Sequence, residues 1–227
     1  MKTTLKETYY CDYAHPEIQK LAKKLAEKTN DPVEIAKKTF YHVRDNIVTG
    51  YDLYKVKASD ILKKGYGICW GKSTLLIALL RCNHIQAQFV TIPVHRKFIK
   101  PLVGNLYHLA NSPYNHCMVN AFLNKRWTIL DSVLDKKTYE IFFAPENIPW
   151  GIDWNGKDDC RLYTDSVVGE PDIHADIDSV IRQKAGNTEF PAFIAIGVYR
   201  FLNKRLWKKT FFSTLPQMGD VKPKYHW

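Results

Sequence analysis

One cysteine of this chain, Cys69, lies in the run Gly65-Tyr-Gly-Ile-Cys-Trp-Gly-Lys-Ser-Thr-Leu-Leu-Ile-Ala-Leu-Leu80, where a glycine-rich turn gives way to an apolar stretch. A helix is expected to begin there. The first turn of a helix has unpaired backbone N–H groups and partial positive charge. A thiol in that position ionises more easily, and the thiolate is the nucleophile. Downstream lie His116 and Asp131, in two β-forming runs, Asn115 to Leu123 and Arg126 to Val133, joined by Asn124-Lys125. With those two residues as the turn, Leu123 faces Arg126, His116 falls opposite Val133 and Met118 opposite Asp131. Side chains alternate faces along a strand, so His116 and Asp131 share a face as diagonal neighbours, Cα atoms roughly 7–8 Å apart. The same parity turns Cys117 away, toward packing.

These three residue types suit acyl transfer. A thiolate–imidazolium pair oriented by a carboxylate attacks an amide or ester carbonyl and forms a thioester, which water or an amine resolves. The backbone N–H of Cys69 is a candidate oxyanion donor; no second donor can be named. Each residue also has a plainer reading: Cys69 as a small buried residue, His116 as a hydrogen-bonded strand histidine, Asp131 as a strand-end cap. Asp135, of the same parity, is the alternative orienter. Tyr66 and Trp70, flanking Cys69, are candidates to line the substrate site, although Trp70 could equally pack the helix start against the sheet. The enzymatic reading needs all three groups to converge at a cleft that a ligand can enter.

The elements that must position them follow from periodicity. Residues 15–29 read as a helix, with Ile18, Leu21, Ala22 and Leu25 on one stripe. Asp31-Pro32 starts a second helix, with an N-cap acceptor before a proline at the first helical position, running to about Asn46. A short turn from Ser59 stops near Gly65. The Cys69 helix follows and frays near Asn83. Residues 86–94 alternate as a strand, 95–113 form a long basic loop, and 139–172 are mostly irregular. Residues 176–209 look helical, broken near Gly186 and Pro191. Helices first, then sequential strands with a tight turn, make an α+β pattern with an antiparallel sheet.

Several of these segments resemble the transglutaminase-like superfamily: Gly67-x-Cys69-Trp70 opening an apolar helix, Ala87-x-Phe89-Val90, His116-x-Met-Val119, and Arg126-Trp127-x-x-Leu130-Asp131. The upstream pieces His15-Pro16-x-Ile18, Phe40-x-x-Val43-Arg44-Asp45 and Ala58-Ser59-Asp60-Ile61-Leu62 resemble its bacterial and archaeal members. The resemblance spans about residues 9–135. It implies a cysteine-protease-like core, with Cys69, His116 and Asp131 at the positions of that superfamily's triad. No cofactor is expected. Its members include transglutaminases, proteases, amidases, peptide N-glycanases and catalytically dead binding domains. Asn120 stands where many carry an acidic residue, and no aromatic residue can be matched to the extra transition-state stabiliser of the animal enzymes. Hydrolysis of a peptide-like amide is therefore favoured over protein cross-linking, with a silent binding module as the alternative. Residues 1–140 are expected to form the core and 141–227 an extension of the same domain.

Composition sets the remaining bounds. The 227 residues are 45% hydrophobic and 25% charged, an ordinary globular mixture. No apolar run approaches the length of a membrane span, and the N-terminus lacks the apolar core of a signal peptide. Five cysteines without a C-x-x-C pair argue against a disulfide framework or zinc knuckle and for a reducing, cytoplasmic compartment. The net charge of +10 is spread over helix faces and accompanies no nucleic-acid motif. His84, His95 and His108 lack metal-ligand spacing. Asp172 to Asp178 lacks the glycine and distal glutamate of a calcium loop and reads as an acidic loop or helix cap. The stripe of Ile194, Val198, Phe201, Leu202 and Leu206 reads as a face docked on the chain's own domain, with Arg200, Lys204 and Lys208 opposite.

Overall fold

The computed structural model describes residues 3–162, 165–184 and 189–212. Helix α1 (Pro16–Ala26) starts at His15, whose side chain accepts from Glu17 N, and buries Ile18 and Ala22. Helix α2 (Pro32–Asn46) starts at Asp31, which accepts from Val33 N at 3.0 Å, and buries Ile35, Ala36, Phe40 and Val43. Strand β1 (Val48–Thr49) pairs in parallel with β2 (Tyr66–Gly67). Between them lies α3 (Ala58–Lys64), ended by Gly65 at φ 73°, a left-handed conformation that suits glycine.

Helix α4 (Cys69–Cys82) is the centre of the fold. Cys69 through Arg81 are all buried, which accounts for its lack of a polar face. It packs against α1, α2 and α3 on one side and against the sheet on the other. The sheet is antiparallel, built from β3 (Ala87–Val94), β4 (Tyr114–Leu123), β5 (Arg126–Leu130) and β6 (Asp172–His174) in the order β5-β4-β3-β6. The fold is therefore α+β. The β4–β5 register is the one read from the sequence, with Leu123 opposite Arg126 and Val119 opposite Leu130. Asn124 and Lys125, at φ 48° and 63°, form the turn, and two positive φ values match the twist of a two-residue hairpin.

Four features differ from the sequence reading. Strand β5 ends at Leu130 rather than Val133, because Asp131 N turns to Cys160 O at 2.9 Å. The 95–113 segment is not irregular: it holds a 3-10 turn (Arg96–Ile99), the short α5 (Lys100–Val103) and a second 3-10 stretch (Gly104–Leu109). Helix α6 (Lys136–Phe142) and edge strand β6 arise in stretches with too little periodicity to announce them. Phe201 faces solvent (58% exposed), because the buried side of α8 (Ala192–Phe212) runs through Tyr199, Leu202, Asn203 and Leu206. Helix α7 (Ile177–Lys184) precedes it, and the expected break at Gly186 lies outside the described residues.

The C-terminal third is tied to the core by specific bonds. Arg44 of α2 donates to Ile152 O and to Asp153 Oδ1 at 2.7 and 2.6 Å. Asn203 of α8 brackets Tyr51, accepting from its N–H at 2.7 Å and donating to its carbonyl at 2.8 Å.

Candidate active site

Strand β4 outruns β5. Pairing begins at Val119 and continues to the turn, so Tyr114 to Met118 have no neighbour on the β5 side. The first turn of α4 docks on that stretch. Trp70 Nε1 donates to Asn115 O and Ser73 Oγ to Cys117 O, both at 3.3 Å. The backbone N–H of Cys117 is close enough to the Cys69 sulfur to favour its thiolate. The residue before the helix, Ile68, is extended and places no side-chain cap on it. The Cys69 sulfur therefore sits at an uncapped helix start, held against a strand edge.

His116 projects from the same stretch of β4. Its Nε2 lies 2.8 Å from Asp131 Oδ2, and its ring is close enough to Cys69 for each to shift the other's ionisation. Asp131 is fixed in turn by Val133 N on Oδ1 (3.2 Å) and Leu162 N on Oδ2 (3.4 Å). Cys69, His116 and Asp131 are brought together in the order thiol, imidazole, carboxylate.

The electrostatics follow from burial and contact. Burial by itself lowers the His116 pKa, but the Asp131 carboxylate, its hydrogen bond and the Cys69 contact outweigh burial and raise the imidazole to about 10. Burial raises the Cys69 thiol above the usual thiol value, and Glu189 adds to that; His116 and the Cys117 N–H offset part of the rise. Among the described residues Cys11 and Cys160 have no imidazole partner, and burial pushes both to about 12. Cys69 thus has an imidazole partner that offsets part of the cost of burial.

The pocket around Cys69 and His116 is closed. It encloses about 20 Å³, room for roughly one water. Phe98, Ile99 and Leu102 of the helical 96–103 segment form part of its wall, with Phe143, Leu162 and Glu189 from farther along the chain. The Phe98 ring stands 5.0 Å from the imidazole. Among the described residues the open cleft expected from the sequence is not seen, and a substrate reaches Cys69 only if this cover moves. A larger open groove of about 970 Å³ between α1, α2 and α3, lined by His15, Lys20, Lys24 and His42, includes none of Cys69, His116 and Asp131.

Tyr66 and Trp70 do not line the Cys69 pocket. Trp70 is fully buried, stacked on Tyr54 at 4.7 Å, with its N–H spent on Asn115. Tyr66 packs edge-on against Trp207 at 5.0 Å. Asp135 is no second orienter: it caps α6 through Thr138 N at 2.8 Å and accepts from Thr49 N at 2.9 Å. The Cys117 backbone, Tyr114 and Glu189 went unread in the sequence. An alternating strand gives no sign of which backbone N–H will meet a sulfur, and an isolated glutamate far along the chain has no spacing to mark it. Among the described residues, no group of three or more His, Cys, Asp or Glu side chains is placed to hold a metal ion.

Comparison with known proteins gives the site its context. No curated protein matches the chain. Among solved structures, a "putative cysteine protease" from Cytophaga hutchinsonii is 23% identical, with 57% of this chain and 40% of that one covered and a TM-score of 0.44. A "putative protease" from Parabacteroides distasonis is 16% identical, with 56% and 24% covered and a TM-score of 0.38. Red sea bream transglutaminase is 12% identical, with 89% and 42% covered and a TM-score of 0.46. This chain thus spans less than half the length of each. Residues 19–132, half of the chain, match the transglutaminase-like superfamily, and they include Cys69, His116 and Asp131; the chain belongs to that superfamily.

Proposed function

We propose that this protein is a cysteine-dependent hydrolase or acyltransferase acting on an amide in a peptide or peptide-like substrate. The observation that carries the reading is the Cys69–His116–Asp131 relay, with its Asp131–His116 contact of 2.8 Å and the sulfur at a helix start. In this reading the Cys69 thiolate attacks the substrate carbonyl, and the helix-start N–H groups receive the negative charge on oxygen. The His116 imidazolium then gives its proton to the departing amine. A thioester remains on Cys69. Water or a second amine, deprotonated by His116, attacks the thioester and restores the thiolate–imidazolium pair. Asp131 keeps the ring oriented and stabilises its charge. Hydrolysis is the preferred outcome, since no amine-acceptor groove is apparent from the sequence. Five free cysteines support a reducing, cytoplasmic setting. Among the described residues, no helix is long and apolar enough to cross a membrane.

Alkylation with iodoacetamide near neutral pH, followed by peptide mapping, tests this. Cys69 is expected to react faster than Cys11 and Cys160 despite being 2% exposed. Equal or slower labelling of Cys69 removes the activated thiol from the account.

The closed pocket favours one alternative, a catalytically silent module that uses its covered surface for binding. Partner binding that survives Cys69→Ala, without turnover of any amide, would select it.

A further inference from the structure

The segment that covers Cys69 carries charge of one sign. No Asp or Glu occurs between Asp60 and Asp131. The stretch that sets Phe98, Ile99 and Leu102 against the pocket holds Arg96, Lys97 and Lys100, and both lysines are exposed. Helix α8 has the same character. From Phe190 to Phe212 the chain has Arg200, Lys204, Arg205, Lys208 and Lys209 and no acid. Among the described residues Lys97, Lys100, Lys204 and Arg205 enter no ion pair. Arg96 is partly spent: its Nη1 donates to His108 O at 2.9 Å, while its Nε is buried with no hydrogen-bond partner among the described residues.

The two stretches meet at Gly104. A Cβ there would stand 3.6 and 3.7 Å from the Arg205 guanidinium nitrogens. Gly104 N in turn donates to Lys100 O, closing the turn that Lys100 opens. Phe201, Lys204, Arg205 and Lys208 recur at helical spacing on the outer side of α8, because Tyr199, Leu202, Leu206 and Trp207 are buried. With Lys209 they line an open concavity of about 490 Å³, in which Phe201 is the apolar member. Two acids flank this surface. Ser166 O accepts from His95 N at 2.7 Å, which brings Asp165 near the start of the cover. Asn111 N donates to Glu189 O at 2.7 Å near its end, but the Glu189 side chain is buried and bonded to Tyr199.

We propose that the cover and the outer face of α8 together bind an acidic peptide segment, the part of the substrate that flanks its reacting amide. This inference rests on the cysteine-hydrolase or acyltransferase reading and names its substrate class. Carboxylates of the segment pair with Lys97, Lys100, Lys204 and Arg205, cations that repel one another until an anion arrives. An apolar side chain of the segment packs on Phe201. Arg96 gains a carboxylate partner for its unspent donor as the cover moves. A bilayer fits this surface less well. Interfacial helices give a broad apolar face to lipid, whereas α8 spends that face on its own core. A nucleic acid shares the charge but brings no peptide amide to Cys69.

Fluorescence anisotropy on the full chain reads the binding. The probe is a labelled peptide of six glutamates around one phenylalanine, with a glutamine counterpart as control. The acidic peptide is expected to bind about tenfold or more tighter than the counterpart at low salt, and to lose that margin at high salt. Lys97→Glu with Lys100→Glu, and Lys204→Glu with Arg205→Glu, should each weaken it about tenfold or more. Lys20→Glu with Lys23→Glu, on α1, makes the same change in net charge and should leave the affinity within about twofold. Equal losses in all three double variants overturn the surface, since net charge alone would then account for binding. Tighter capture of oligothymidylate or of phosphatidylserine vesicles by the same side chains overturns the peptide as the occupant.

Acylation separates this surface from the reading beneath it. Each peptide is supplied as its C-terminal p-nitrophenyl ester, and the adduct on Cys69 is followed by mass. The acidic ester should acylate the wild type about tenfold or more faster than the glutamine ester, and Lys97→Glu with Lys100→Glu should remove the difference. Equal acylation by both esters, with a Cys69 that alkylates readily with iodoacetamide, overturns the acidic preference and leaves the hydrolase reading standing. A Cys69 inert to iodoacetamide and to both esters overturns that reading, and the peptide's role as substrate with it.

Discussion

Nε2 of His116 and Oδ2 of Asp131 are 2.8 Å apart although Asp131 lies one residue beyond the end of its strand. The hairpin register sets the shared face, and past the end of β5 the Asp131 N–H bonds Cys160 O while its carboxylate meets the ring nitrogen. The contact makes the imidazole basic in a buried place where it would otherwise be neutral.

Asp131→Asn keeps the shape and removes the charge. Burial then dominates, and the His116 pKa falls. Turnover is expected to drop by about 10²- to 10⁴-fold, the usual range for losing a general acid–base. Iodoacetamide labelling of Cys69 near neutral pH should slow as well. An unchanged labelling rate would show that the thiolate does not depend on this relay.

The same pair makes stability depend on pH. His116 titrates near 6.5 when unfolded and near 10 in the fold. Its contribution is therefore complete below about pH 6.5 and is lost as pH rises through about 10. Lys72, fully buried and lowered by burial to about 8, works in the opposite sense, its cost easing as pH rises above that value. Comparing wild type with His116→Gln isolates the first effect. The gap in melting temperature should be widest at pH 6 and narrow toward pH 10; a gap that widens at high pH would contradict the charged ring.

Phe98 stands over the imidazole, and the pocket beneath it holds about one water. Phe98→Ala is expected to open the route to Cys69 and to quicken its labelling by neutral reagents severalfold. The stability cost should be about 1–3 kcal/mol, below that for a fully buried phenylalanine, because Phe98 is half-buried. Denaturant melts and labelling rates on the same protein check both.

Gly71 lies where α3 crosses the first turn of α4. A Cβ there would stand 2.6 Å from Ile61 Cδ1 and 3.2 Å from its Cγ1. Gly71→Ala should gain about 1 kcal/mol in helix propensity, but overpacking costs about 1–3 kcal/mol, so a net loss is expected. Adding Ile61→Val should recover much of it. A Gly71→Ala protein more stable than wild type would mean that the two helices part freely.

Much of this protein is legible in short-range pattern. Asp31-Pro32 starts α2, and Gly65 stops α3, because caps and left-handed turns are properties of a few adjacent residues. The hairpin register followed from Asn124-Lys125 and strand parity alone, and with it the shared face of His116 and Asp131. What escaped was aperiodic: α6, β6 and the helical turns of residues 95–113 exist because they pack on something distant. Trp70 shows the ambiguity at one residue, since its position beside a nucleophile fits substrate contact and core packing alike. Only its burial against Tyr54 and its bond to Asn115 decide between them.

The sequence by itself determined which side chains could form a thiol–imidazole–carboxylate relay and on which faces of their elements they stand, because helix starts and strand alternation are local geometry. The tertiary structure alone decided that the bare edge of β4 receives the Cys69 sulfur, that Phe98 and Leu102 close the pocket, and that Glu189 enters it. Those outcomes depend on which apolar surfaces bury one another across the chain, and burial also sets the strength of every charge at the site.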